Sequence, residues 1–189
     1  MKLDDPLDIK DIDFRIQSIN RGGYAVILAY KDARVDMKRL DDVYGPLGWK
    51  REHVKDNKNC IVSVWCDAKK QWVSKEDTGT ESNTEQAKGL ASDSFKRACF
   101  NWGIGRELYD YPVISIKLNA VSGDKPQYGE WYLDNGKPKQ GYGLKLKEWR
   151  WYSEFKDGSI SFLAAKDEKG AIRFKWGERQ LKEVKNESV

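Results

Sequence analysis

Hydrophobic and polar positions along the chain fall into short β-rich runs, broken by turn signals and by two stretches of helical periodicity. The stretch DFRIQSINRGGYAVILAY, residues 13–30, holds two β-rich runs around Asn20-Arg21-Gly22-Gly23, which predicts a hairpin. Asp32 then stands where a helix cap is needed, ahead of Val35, Met37, Leu40, Val43 and Tyr44, whose spacing predicts a short amphipathic helix closed by Gly45-Pro46. Residues 50–55, 59–67 and 71–80 read as three strands of an antiparallel meander. Trp65 and Trp72 lie within it, and an apolar strand run favours core packing for them over base stacking.

From Thr84 the period changes. Ala87, Leu90, Ala91, Ser94, Phe95, Ala98, Cys99 and Trp102 recur at steps of three and four, predicting a helix of about five turns with one apolar or small stripe. Ser82, Asn83 or Thr84 can cap it, Glu85 puts negative charge in its first turn, and Gly103 and Gly105 stop it. Lys96 falls on the opposite side and Arg97 on the flank, so a stiff basic edge is expected on a helix held by its other face. Taken alone, a Lys-Arg pair on a helix is most simply a solvated face.

Beyond Pro112 the texture shifts to Gly, Pro and spaced aromatics, with a strand over 113–118 and then a long loop or loose hairpin holding Tyr128, Trp131, Tyr132 and Tyr142. Residues 144–155, 159–166 and 171–176, divided by Asp157-Gly158 and by 167–170, predict a second, smaller antiparallel sheet. A short charged helix is expected over 178–189. The fold class is therefore α+β: an antiparallel β meander, a β-β-β-α core, packed on one long helix, with a small C-terminal antiparallel β extension. The expected division is a core domain over 1–112 and a basic, Trp- and Tyr-rich β extension over 113–189.

Charge narrows the functional classes only a little. The chain has 189 residues, 34 basic and 30 acidic, and the whole excess falls after residue 112, where 15 basic face 11 acidic residues. Three cysteines without CxxC spacing and one histidine, His53, make no zinc set, and Cys60, Cys66 and Cys99 read as reduced structural thiols. The acidic start of the chain is no signal peptide and no apolar run is long enough to span a membrane, so a soluble cytoplasmic protein is expected. Neither a phosphate-binding glycine loop nor a nucleophile–base set is visible. The acid pairs Asp41-Asp42 and Glu76-Asp77 could hold Mg2+ in a nuclease, but adjacent acids in turns and at helix ends are usually solvated.

The string SDSFKRACFNWGIGRELYDYP, preceded by EDTGTESNTEQAKG, resembles the central segment of the Rad-fifty-two-type single-strand annealing proteins, most of all their phage members. ARVDMKRLDDVYGPLGW, residues 33–49, resembles the same family's short helix with an arginine near its start. The resemblance covers about three-fifths of the chain and fades beyond residue 112. It implies that Arg34, Lys96 and Arg97 line a DNA groove, with Arg106 as an addition. Where the family's helix often carries a further arginine this chain has Phe100, a candidate for stacking on a base.

What the resemblance implies is a non-enzymatic protein of phage recombination and repair that binds single-stranded DNA and anneals complementary strands without ATP, metal or other cofactor. It implies a homo-oligomeric ring, working in the cytoplasm of a bacterial host, with a single-strand-binding protein or a phage exonuclease as further partners. Physically, such a protein must neutralise backbone phosphates while leaving base edges free. Two other classes remain open at this point: a passive binder of single-stranded DNA or double-stranded RNA, and a small metal-dependent nuclease.

Overall fold

The computed structural model describes residues 1–80 and 86–179. The helix cap expected from Ser82 to Glu85 lies outside them, as does nearly all of the helix expected over 178–189. In chain order the elements are β1 (Asp13–Ile19), β2 (Tyr24–Tyr30), α1 (Ala33–Tyr44), β3 (Trp49–Val54), β4 (Asn59–Cys66), β5 (Gln71–Thr78), α2 (Gln86–Asn101), β6 (Ile114–Lys117), β7 (Trp131–Asp134), β8 (Lys137–Gln140), β9 (Arg150–Lys156), β10 (Ser159–Lys166) and β11 (Ile172–Gly177). They make an α+β protein of antiparallel sheets. The expectation of a single long-helix core is corrected: the described residues hold two helices, of 12 and 16 residues, and four small sheets. Two compact units result, residues 1–13 with 30–109 and residues 14–29 with 110–189.

In the first unit β3, β4 and β5 form the meander, with Trp65 opposite Trp72 and Val64 opposite Val73. Alternation sends Cys60, Val62 and Val64 to one face, each nearly inaccessible, where α2 supplies Leu90, Ser94, Phe95, Ala98 and Cys99. The Trp102 indole N–H donates to the Val62 carbonyl at 3.1 Å, tying the end of the helix to the central strand. Gly79 permits the close approach of the strand end, since a Cβ there would lie 2.6 Å from the Ser94 backbone nitrogen. As expected, the helix stops before Gly103 and Gly105, both in the left-handed region.

The inward stripe of α1 differs from the apolar pattern. Only Leu40 of the expected positions is fully buried, and beside it lie Asp36 and Arg39. Arg39 donates to the carbonyls of Lys2, Leu3 and Asp5 at 3.0, 3.2 and 2.6 Å, and the Leu7 amide donates to Glu107 at 2.6 Å. A guanidinium can be buried when carbonyl oxygens satisfy its donors, and these clamp the N-terminal segment. Trp65 and Trp72 also depart from expectation. Register places them on the sheet face away from α2, where they pack edge to face at 5.6 Å and Trp72 stays 38% exposed beneath the Lys50 ammonium.

The second unit contains three sheets: β1-β2-β6, β9-β10-β11 and the hairpin β7-β8. The β1–β2 turn is fixed by Asn20, whose side-chain oxygen accepts from the Gly22 and Tyr24 amides at 2.9 and 3.0 Å. Asn135-Gly136 and Asp157-Gly158 both take positive φ and close the β7–β8 and β9–β10 hairpins. Phe14 stacks on Trp151 with ring centres 3.6 Å apart. Arg173 forks onto Glu130 at 2.7 and 2.8 Å, reaches Asp167 at 3.4 Å and lies over the Trp149 ring.

Candidate nucleic-acid interface

Asp32 sets the geometry of the first candidate cation. Its Oδ1 caps α1 by accepting the Arg34 amide at 2.8 Å and also accepts Arg34 Nε at 2.9 Å, while the arginine side chain stays 86% exposed. These bonds from Arg34 hold the Asp32 carboxyl below the usual carboxylate range, and the positive charge of Lys96 adds to the effect. Lys96 is half-buried on α2 and acts electrostatically on Asp36 as well. Two helices therefore bring Arg34 and Lys96 to bear on one carboxylate, a juxtaposition that residues far apart in the chain reach only by folding.

Arg97 serves the other flank of α2, because adjacent helical residues diverge by about 100°. Its Nε lies 3.4 Å from Asp77 on β5, and Asp77 also accepts from the Asn101 amide at 3.2 Å. The Arg97 side chain remains about half exposed. Asp93, a nearby acid that could have held the basic pair, accepts instead from the Thr80 amide and hydroxyl at 2.9 and 3.1 Å.

Arg106 is differently engaged. Its Nε and Nη2 donate to the carbonyls of Phe100 and Asn101 at 2.9 and 2.8 Å, which closes the open carbonyl end of α2 with a cation. Its guanidinium also lies over the Phe100 ring, 5.6 Å from the centre, and Tyr109 packs on the same ring at 4.8 Å. Phe100 is thus half-covered, and the more open ring of the pair is Tyr109, 75% exposed.

Three features here escaped sequence reasoning. Lys75 donates to the Asn101 carbonyl at 2.7 Å and lies over the Trp102 ring, so it too closes the end of α2. Its place in the alternation Val73, Lys75, Asp77 would have put it on the helix-facing side, had the position of the helix been known. Tyr109 is the second. The third is the ion pair of Lys31 with the fully buried Asp36, whose carboxyl burial pushes up to about 6 and whose Oδ2 has no partner among the described residues.

The chemistry available to these side chains is charge neutralisation. Ser94 Oγ lies 3.5 Å from His53 Nδ1, but Ser94 is inaccessible and its hydroxyl has the Asn57 and Ala91 carbonyls as acceptors at 3.1 and 3.2 Å. The acid pairs are committed separately: Asp41 to the Trp49 indole, Asp42 to Lys38, Glu76 to Asn59, Asp77 to Arg97 and Asn101. Among the described residues no three His, Cys, Asp or Glu side chains converge to hold a metal, and no helix is long and apolar enough to cross a membrane.

Residues 1–127, which contain all five candidate positions, match the Rad52/22 family of double-strand break repair proteins. The chain belongs to that family. A relative, the single-stranded DNA-binding protein DdrA of Deinococcus deserti, is 34% identical over 112 residues, 57% of this chain and 55% of the relative. The chain thus matches about half the length of that Rad52/22 relative. No protein of solved structure matches. The β9-β10-β11 sheet lies beyond the residues that the family accounts for.

Proposed function

We propose that this chain binds single-stranded DNA and brings complementary strands together in recombination or repair, with Arg34, Lys96 and Arg97 neutralising backbone phosphates. The observation that carries the reading is the placement of Arg34, bound to Asp32 at the start of α1, and of Lys96 on α2 where its charge acts on the same carboxylate, with Arg97 half exposed on the other flank of α2. Cations on stiff elements contact phosphates without reading sequence, and single strands so held keep their base edges free. Family membership and the relative's description as a single-stranded DNA-binding protein support it. Arg106 joins this group only in part, because its donors already serve helix carbonyls.

In its full form the proposal has the protein anneal without ATP or metal as a homo-oligomeric ring in phage recombination, residues 1–112 forming the annealing core. A single-strand-binding protein or an exonuclease would then act beside it. Two labelled complementary oligonucleotides, mixed with the protein in EDTA and without nucleotide, test it. Accelerated pairing is the expected outcome, together with a particle many times the 21.8 kDa chain mass by light scattering. Binding without acceleration would reduce the protein to a passive binder, and metal-dependent cleavage would make it a nuclease.

A further inference from the structure

We infer that the open face of the β9-β10-β11 sheet is a separate binding surface for single-stranded nucleic acid, with phosphates against Arg150, Lys166 and Lys175 and a base on Tyr152. This face lies outside residues 1–127 and is independent of the α1–α2 edge described above.

Register defines it. Tyr152, Ala164 and Lys175 stand in one row across the three strands, and Arg150, Lys166 and Ile172 in the next. Trp151, Leu163 and Ala165 point to the other side, where Leu163 and Ala165 are inaccessible. Ala164 is the only small residue in its row, and above it the surface sinks into a hollow of about 300 Å³ whose walls include Tyr152, Ile172, Lys175 and Arg179. A second hollow of about 250 Å³ adjoins at Tyr152 and Lys166 and takes in Arg150 and Lys169.

Among the described residues no ion pair accounts for the three cations on this face. Arg150 and Lys166 are direct cross-strand partners, an arrangement of like charges that destabilises a sheet. Among the described residues neither forms an ion pair, nor does Lys175, and all three are exposed. Of the nearby acids, Asp167 is held by the Lys169 and Ala171 amides and by Arg173, and Glu154 pairs with Arg179, leaving Glu168. A polyanion would remove the repulsion that the fold tolerates.

Tyr152 selects the kind of polyanion. On the edge strand β9, it is 39% exposed and packs against no other described ring, and with Ile172, 65% exposed on β11, it lines the hollow above Ala164. An apolar hollow floored by Ala164, with an aromatic wall and cations at its border, suits an unpaired base with its phosphates alongside, and base–aromatic stacking of this kind adds substantially to affinity. A duplex, whose bases are already stacked, would leave the ring unused.

The test uses the full chain and a short fluorescent oligothymidylate carrying a photoreactive thymine. The combined change Arg150→Ala, Lys166→Ala, Lys175→Ala should lower affinity about tenfold and flatten the log affinity–log salt slope by about 2, at roughly 0.7 per phosphate lost. Its melting temperature should not fall, because a repulsion is removed. Tyr152→Ala should weaken binding at least fivefold with the salt slope kept, Tyr152→Phe should bind as the parent does, and irradiation should cross-link Tyr152. With Arg34, Lys96 and Arg97 all changed to alanine, residual binding and the Tyr152 cross-link should persist, so failure of the α1–α2 reading and of this one are distinguishable. An unchanged salt slope, a lowered melting temperature in the triple variant, a cross-link confined to residues 1–127, or tighter binding of duplex than of single strand would each overturn the inference.

Discussion

Arg34 is neutralised by Asp32, the residue that caps its own helix, through an Nε–Oδ1 contact of 2.9 Å. One carboxylate therefore has two duties, starting α1 and shielding a candidate phosphate contact. Asp32→Asn separates them, since asparagine caps about as well as aspartate while losing the charge. Stability should change by less than about 0.5 kcal/mol and affinity for single-stranded DNA should rise severalfold in fluorescence anisotropy. Because Arg34 depresses the Asp32 carboxyl, the stabilisation from this contact is present above the unfolded carboxylate value of about 4 and is lost as pH falls through the lower folded value.

Lys96→Ala with Arg97→Ala should abolish annealing while leaving circular dichroism intact. Arg97 is about half exposed and its link to Asp77 is long at 3.4 Å, so the pair stabilises the fold by at most about 1 kcal/mol. Arg106→Ala should behave in the opposite order. It frees two helix-end carbonyls, and a loss of about 1 kcal/mol should lower the melting temperature by roughly 2–4 °C. Comparing melting curves with an annealing time course decides between these assignments, and normal annealing by the double variant would place the groove elsewhere.

Asp36 predicts a pH effect of the other sign. Burial raises its carboxyl to about 6 despite Lys31, so the folded protein favours the protonated acid. This contribution to stability is fully present below the unfolded value of about 4 and is lost as pH rises through 6, at up to about 1.4 kcal/mol per pH unit. Asp36→Asn cannot ionise. Relative to that variant, the wild type should lose stability between pH 4 and pH 6.5 in urea titrations, and a constant difference across the range would refute the assignment.

Thiol reactivity should separate the cysteines. Cys60 and Cys99 are fully buried, and burial pushes Cys60 to about 11 and Cys99 upward too, whereas Cys66 is half-exposed. A thiol-specific chromogenic reagent at pH 8 should therefore modify one thiol per native chain, and all three in denaturant. Rapid modification of all three without denaturant would show that the α2–meander core opens readily.

Sequence alone determined the parts whose causes lie within a few residues. Asn20-Arg21-Gly22-Gly23 and Asp157-Gly158 turn where they were expected to, Asp32 caps α1, Gly103 and Gly105 follow the end of α2, and the three meander strands fall within two residues of their expected limits. Caps, turns and periodicity act locally, so their residues are contiguous in the text of the chain. Folding decided which surfaces meet. β2 pairs with β6 from far along the chain, Asp36 and Arg39 enter the core instead of the solvent, and Arg106 turns back onto the end of α2. The same is true of Arg97 beside Asp77 and of Arg150 opposite Lys166. Such contacts depend on strand register and on the placement of whole elements. A slip of one residue sends every side chain of a strand to the opposite face, so local pattern names the basic residues but cannot say which of them share a surface.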